Sequence, residues 1–154
     1  MTPINFLLVD DEKPFIDNLA QRLRQRGFDV VCAFSGMEAL NQLDNDDTIE
    51  VVVLDVIMPG MDGIETIKKL KKKHPTVEVI MLTGHSTINH AVEAIKLDAF
   101  DYLTKPCDIN QLISKAEQAV SRRNERKAKI FDVRIKLYIT KEERDEQIAQ
   151  ILKS

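Results

Sequence analysis

The chain reads as an α/β domain, a doubly wound three-layer sandwich with helices on both faces of a parallel sheet, and three observations predict this. Short apolar runs alternate with amphipathic helical patterns five times before residue 121. The links between them are short, which suits helical crossovers between parallel strands. The clearest runs are apolar without interruption, as strands covered on both faces are.

Each element has its own signal. Phe6 to Val9 predicts the first strand, which ends in acid at Asp10 and Asp11. Pro14 in the first turn and Gly27 just past the end frame the first helix, with Phe15, Leu19 and Leu23 recurring every four residues. Val30, Val31 and Ala33 make a shorter second strand. Ser35 is placed to cap a helix carrying Met37, Ala39, Leu40 and Leu43, which Asn45-Asp46-Asp47 closes. Val51 to Leu54 predicts a central strand. Pro59-Gly60-Met61-Asp62-Gly63 then supplies the residues of a loop, and a helix with Ile64, Ile67 and Leu70 runs to His74-Pro75. Val77 to Leu82 is the fourth strand, followed by a helix with Ile88, Val92 and Ile95. Ala99 to Leu103 is the fifth. Asp108 caps a last helix whose Leu112, Ile113, Ala116, Ala119 and Val120 share one face.

Residues 121–154 differ in character. Seven Lys or Arg stand against two acids between Arg122 and Lys136, and no Gly or Pro interrupts the stretch. Phe131, Val133, Ile135, Leu137 and Ile139 alternate as in a strand, while Phe131, Ile135 and Ile139 also fit a continuing helix. The absent stop signal favours a long helix that gives way to an extended link near Leu137. Thr140-Lys141-Glu142-Glu143 is a capping box that opens a short final helix with Ile148, Ile151 and Leu152 on one side. The expected division is a domain over 1–124 and a C-terminal extension over 125–154. The basic stretch reads as the solvated face of a helix.

Composition bounds the function. Of 154 residues, 44% are hydrophobic and 31% charged, as in a soluble globular protein. No apolar stretch approaches the roughly 20 residues of a membrane span, and the N-terminus lacks the features of a signal peptide. A cytoplasmic location is the expectation. Cys32 and Cys107 are too few for a disulfide framework and too far apart for a metal knuckle, so they read as small apolar fillers. His74, His85 and His90 show no ligand spacing with a cysteine. With a net charge of −3, no global field draws the protein to nucleic acid.

Chemistry collects where the strands end. In a parallel sheet the carboxyl ends share one edge, which is where open α/β sheets bind ligands. Asp10 and Asp11 follow the first strand, Asp55 the third, Thr83 the fourth and Lys105 the fifth. Three carboxylates in one cleft repel each other unless a divalent cation lies between them. Magnesium suits such oxygen ligands and bridges readily to phosphate. A carboxylate held there can also be a nucleophile that forms an aspartyl phosphate. Lys105 is a point charge for one phosphoryl oxygen, and Thr83 offers a hydroxyl to another.

The joint order of Asp10-Asp11, Asp55 with Pro59 four later, Gly63, Thr83, Tyr102 and Lys105-Pro106 resembles the receiver domain of bacterial two-component response regulators, over roughly residues 4–124. Thr83-Gly84-His85-Ser86 and Ala99-Phe100-Asp101-Tyr102-Leu103 are most similar to receivers of NtrC-type activators. The resemblance implies a flavodoxin-like sheet of order 2-1-3-4-5. It implies that Asp55 accepts a phosphoryl group from the phosphohistidine of a sensor kinase. Asp11 would then bind Mg2+ directly, Asp10 partly through water, with the Ile57 backbone carbonyl as a further ligand beside Asp55. Lys105 would pair with the phosphate, Thr83 would move toward it, and Tyr102 would turn inward and remodel the face of the fourth helix, fifth strand and fifth helix. The sequence departs from the family at Asp98, where glycine is frequent in a left-handed turn, and at Cys107, where a bulky aromatic is common.

The expected protein is a stand-alone receiver that signals through a downstream protein target or onward phosphorelay, with a sensor histidine kinase or phosphotransfer protein upstream. It would be a self-phosphorylating switch rather than a turnover enzyme. A homodimer through the fifth-helix face or the tail is an open reading; nucleic acid and membrane are not expected partners. Two alternatives carry opposing signals. A phosphorylation-independent scaffold has no need of all five polar residues. An aspartyl-phosphate hydrolase of the haloacid-dehalogenase type would carry a second Asp where Ile57 stands.

Overall fold

Strands of Val, Ile and Leu need cover on both faces, and the chain supplies it by crossing over with a helix between each pair. The computed structural model describes residues 3–56, 58, 60–84 and 88–154. Five strands, β1 (Asn5–Val9), β2 (Asp29–Ala33), β3 (Val51–Asp55), β4 (Glu78–Thr83) and β5 (Asp101–Thr104), alternate with α1 (Lys13–Gln25), α2 (Gly36–Asn45), α3 (Gly63–Lys73), α4 (Ile88–Lys96) and α5 (Ile109–Arg134), and α6 (Lys141–Lys153) follows. The sheet order is β2-β1-β3-β4-β5, and all four pairings are parallel. This is the doubly wound 2-1-3-4-5 sheet that the resemblance implies.

The period of two along each strand divides the core. Phe6, Leu8, Val51, Val53, Ile80 and Leu82 meet α1 and α5 through Leu19, Leu23, Leu112 and Ala116. Leu7, Val9, Val52, Leu54, Val79 and Met81 meet α2, α3 and α4 through Leu43, Ile67, Leu70 and Ala94. Each large side chain so buried stabilises the fold by about 1.5–3 kcal/mol. The helix starts follow the capping residues. Ser35 accepts from the Glu38 N–H, Asp62 from Glu65, Asp108 from Asn110 and Gln111, and Thr140 from Glu143.

Four features differ from the sequence reading. β5 begins at Asp101 rather than Ala99, because the Ala99 N–H still closes α4 by donating to Ala94 O. α4 does not turn Val92 and Ile95 inward. Its buried residues include Ala91 and Ala94, while Val92 and Ile95 are exposed, so small side chains set the helix against the sheet. The tail follows the expected long helix, which passes residue 124 without interruption, but that helix ends at Arg134 and turns at Ile135 rather than near Leu137. The basic stretch is not simply a solvated face, since Arg123 and Arg126 are buried.

Candidate functional site

The parallel register brings the strand ends to one edge and fixes the distances between their polar residues. Asp10 follows β1 and is fully buried, and its backbone N–H donates to Ala33 O across β2. Asp55 ends β3 and is 8% exposed. Asp11 points to solvent. One carboxylate oxygen from each of Asp10, Asp11 and Asp55 lies within 4.8 Å of the others.

Lys105 stands over this group. Its backbone N–H donates to Thr83 O at 2.8 Å, which ties the residue after β5 to the end of β4. Its Nζ lies 2.8 Å from Asp10 Oδ2, 3.5 Å from Glu12 Oε1 and 3.7 Å from Asp55 Oδ2, and sits 4.7 Å from the centre of the Phe15 ring. Burial opposes the ammonium charge, but the hydrogen bond from Lys105 to Asp10 and the charges of Asp55, Asp10 and Glu12 outweigh it and raise its pKa above the ordinary value. One lysine thus faces three carboxylates, with Asp11 beside them, a negative excess that a divalent cation suits.

Thr83 is fully buried at the end of β4, and its Oγ1 has no hydrogen-bond partner among the described residues. An unpaired buried hydroxyl is costly, and here it stands at the edge where the acids gather. With hard oxygen donors close together and an unused donor beside them, the residues fit a magnesium ion and a phosphoryl group.

Gly63 explains how the loop after Asp55 closes. A Cβ there would lie 2.6 Å from Asp55 O and 2.8 Å from Val56 O, and its N–H donates to Val56 O at 2.9 Å. Any side chain would push α3 away from the strand end that carries Asp55. Tyr102 is half-buried on β5 and packs against the α2–α4 half of the core. Ile57, Pro59, His85 and Ser86 lie outside the described residues, so the expected Ile57 carbonyl ligand is not placed. Cys107 is half-buried and burial pushes its thiol up to about 11, which suits a filler and not a nucleophile.

Sequence reasoning left out two contributors. Glu12 donates its backbone N–H to Asp10 Oδ1 at 3.0 Å while its own carboxylate faces Lys105; its place two residues after Asp10 was the available signal. Phe15 was read as a core residue, and no pattern announces that its ring supports Lys105.

A parallel sheet of this order with three acids and a lysine at its carboxyl edge defines a receiver-type α/β domain. The chain belongs to the response regulator receiver domain family, which it matches over residues 6–117. It is 37% identical to the transcriptional regulatory protein ZraR of Salmonella typhimurium over 127 residues, 82% of this chain and 29% of that protein. The chain therefore spans less than a third of that relative. A receiver domain structure from Clostridium thermocellum is 34% identical with a TM-score of 0.75, covering 79% of this chain and 97% of that one. NtrX from Brucella abortus is 30% identical with a TM-score of 0.77, covering 94% of this chain and 33% of that one. The likeness to ZraR and NtrX places it with the NtrC-like receivers, so it is a domain of phosphorylation-based signalling. Among the described residues no helix is long and apolar enough to cross a membrane.

Proposed function

We propose that this chain is a phosphorylation-dependent switch that takes a phosphoryl group onto Asp55 from the phosphohistidine of a sensor kinase or phosphotransfer protein. The convergence of Asp10, Asp11, Asp55 and Lys105 at one sheet edge carries this reading. A carboxylate oxygen of Asp55 attacks phosphorus, the P–N bond breaks, and its electron pair returns to the imidazole nitrogen. The product is an acyl phosphate on Asp55. Little else is asked of the protein than to hold the partners in line and answer the charge on the phosphoryl oxygens.

Asp10, Asp11 and Asp55 would hold Mg2+, with the Ile57 carbonyl as a further ligand. When bound, the ion supplies positive charge that offsets the carboxylates and the phosphoryl oxygens. Lys105 then exchanges part of its interaction with Asp10 and Asp55 for a phosphoryl oxygen, and Phe15 keeps its stem in place. Thr83 gives its unpaired hydroxyl to another oxygen. Its departure leaves room for the half-buried Tyr102, and the repacking reaches the exposed Val92 and Ile95 of α4. Those two residues give a downstream protein target an apolar surface to read. In this reading the domain catalyses its own modification and turns over no external product.

The test is intact mass after incubation with magnesium and acetyl phosphate, beside an Asp55→Asn control. One adduct of about 80 Da, needing both magnesium and Asp55, is expected. An adduct of equal yield in the Asp55→Asn chain refutes the site.

A further inference from the structure

Three carboxylates reach the ammonium of Lys105, and they differ in where they stand. Asp10 and Asp55 approach it from inside the fold, at 2.8 and 3.7 Å, and both are buried. Glu12 approaches it at 3.5 Å with a side chain that is 65% exposed. Of the three, only Glu12 stands on the side from which a phosphodonor arrives out of solvent.

The local position of Glu12 does not account for its side chain. Glu12 is the N-cap residue of α1, a place that favours Ser, Thr, Asp and Asn because their short side chains bond the first free N–H groups of the helix. The Glu12 side chain caps nothing. Its backbone does the local work instead, with the N–H donating to Asp10 Oδ1 and the carbonyl accepting from the Ile16 N–H. A negative charge here gains from the helix dipole, but that gain needs no approach to Lys105. The next residue, Lys13, lies over the Phe34 ring and makes no ion pair with Glu12.

Glu12 also stands outside the metal group, whose members are Asp10, Asp11 and Asp55. In the reading proposed above, Mg2+ and Lys105 between them offset those three, and the charge of Glu12 is left over at the mouth of the site. A small phosphodonor such as acetyl phosphate arrives as a dianion, which a nearby carboxylate repels. Glu12 also engages the lysine that the phosphoryl oxygens need. Both effects act against a free anionic donor. A protein donor has a surface beside its phosphohistidine, and a cation there answers Glu12 and releases Lys105.

We infer that Glu12 is a specificity-determining residue for the phosphodonor: its carboxylate slows small anionic donors and favours a protein donor that sets a cation against it. The inference rests on the reading of Asp55 as the acceptor. Its test is the rate of adduct formation by intact mass in magnesium and acetyl phosphate. At low salt Glu12→Gln is expected to react about fivefold faster than the wild type. The gain fades toward about 1 M salt, where the screening length falls to about 3 Å. Phosphoramidate, with one negative charge fewer, gains less from the same substitution. Glu12→Asp keeps the charge and stays closer to the wild type than Glu12→Gln does. Calorimetry without a phosphodonor is expected to show magnesium binding to the Glu12→Gln chain weakened by no more than about threefold.

A Glu12→Gln rate at or below that of the wild type overturns the inference. So does a gain of equal size for both donors or at every salt concentration. Magnesium binding weakened by about tenfold or more makes Glu12 a metal ligand and overturns it too. An adduct that needs Asp55 but forms at an unchanged rate refutes the role of Glu12 alone, whereas an adduct that does not need Asp55 refutes the acceptor as well.

Discussion

Two clusters of buried charge occupy opposite edges of the same sheet, and they are built on opposite rules. At the carboxyl edge Asp10, Asp55 and Glu12 face the ammonium of Lys105, and Asp11 lies beside Asp10 and Asp55. At the amino edge two carboxylates meet three cations. Glu78, fully buried at the start of β4, is held by Arg122 through Nε and Nη2 and approached by Lys71 and Arg126. Asp98 is held by both Nη atoms of Arg126, at 2.8 and 3.1 Å, with Lys71 at 3.2 Å and Arg122 at 3.5 Å. Arg126 also donates to Ser154 O at the end of α6. The amino edge pairs both of its carboxylates, with one cation to spare, and fastens α3, α4, β4, α5 and α6 together. The carboxyl edge leaves a negative excess, which the proposed magnesium ion would offset. The buried carboxylates of the amino edge each have cations to spare around them, whereas those of the carboxyl edge outnumber the one lysine beside them.

The comparison is broken most directly by removing one charge from each edge. Glu78→Gln leaves Arg122 and Arg126 around a neutral amide in a dry place. Loss of one partner from a buried pair typically costs about 3–5 kcal/mol, and urea unfolding is expected to show a loss in that range. Asp11→Asn at the other edge removes repulsion from an exposed position and is expected to change stability by less than about 1 kcal/mol, in the favourable direction. Equal losses from the two substitutions would show that both edges are structural.

A divalent cation sharpens the contrast. Magnesium at about 100 times its own dissociation constant is expected to stabilise the wild type by about 2.7 kcal/mol, and a chelator reverses the gain. Asp11→Asn loses most of this gain, whereas Glu78→Gln keeps it, because its charge change lies at the far edge. Thermal unfolding with and without magnesium measures both. A gain of equal size in the Asp11→Asn chain would place the ion elsewhere.

The two edges also differ in how far the sequence reveals them. Asp10, Asp55, Thr83 and Lys105 were legible because each follows an apolar run, and a parallel sheet gathers such positions at one edge. Ser35, Asp108 and Thr140 were legible as caps because capping needs only local chemistry. Nothing local announces the other cluster. Lys71 sits in a run of lysines, and Arg122 and Arg126 in a stretch that reads as solvated. Their shielding follows from the way α5 lies along the start of β4 and reaches the turn after α4, a long-range outcome. The inward face of α4 was missed for a related reason. Periodicity points to Val92 and Ile95, but the close approach of helix to sheet selects Ala91 and Ala94.

Asp98 shows what that hidden cluster adds to a single position. Its φ of +79° is a left-handed conformation that aspartate tolerates better than most residues. On backbone grounds alone glycine would serve better. Burial pushes the Asp98 carboxyl up, but the hydrogen bonds from Arg126 and the charges of Lys71 and Arg122 outweigh it and hold the carboxyl below its ordinary value of 3.8. A depressed carboxyl contributes stability above that ordinary value and loses it as the pH falls from 3.8 toward the lower folded value. Asp98→Asn tolerates the same backbone without the charge, so it is expected to be less stable than the wild type near neutrality. The gap should close as the pH falls below 3.8, where the wild-type carboxyl is protonated too. Denaturant midpoints measured down that acid limb decide the point, and this is the smallest of the three effects. A gap that stays constant through the limb would mean that Asp98 is kept for its shape, and that its charge does not hold Arg126.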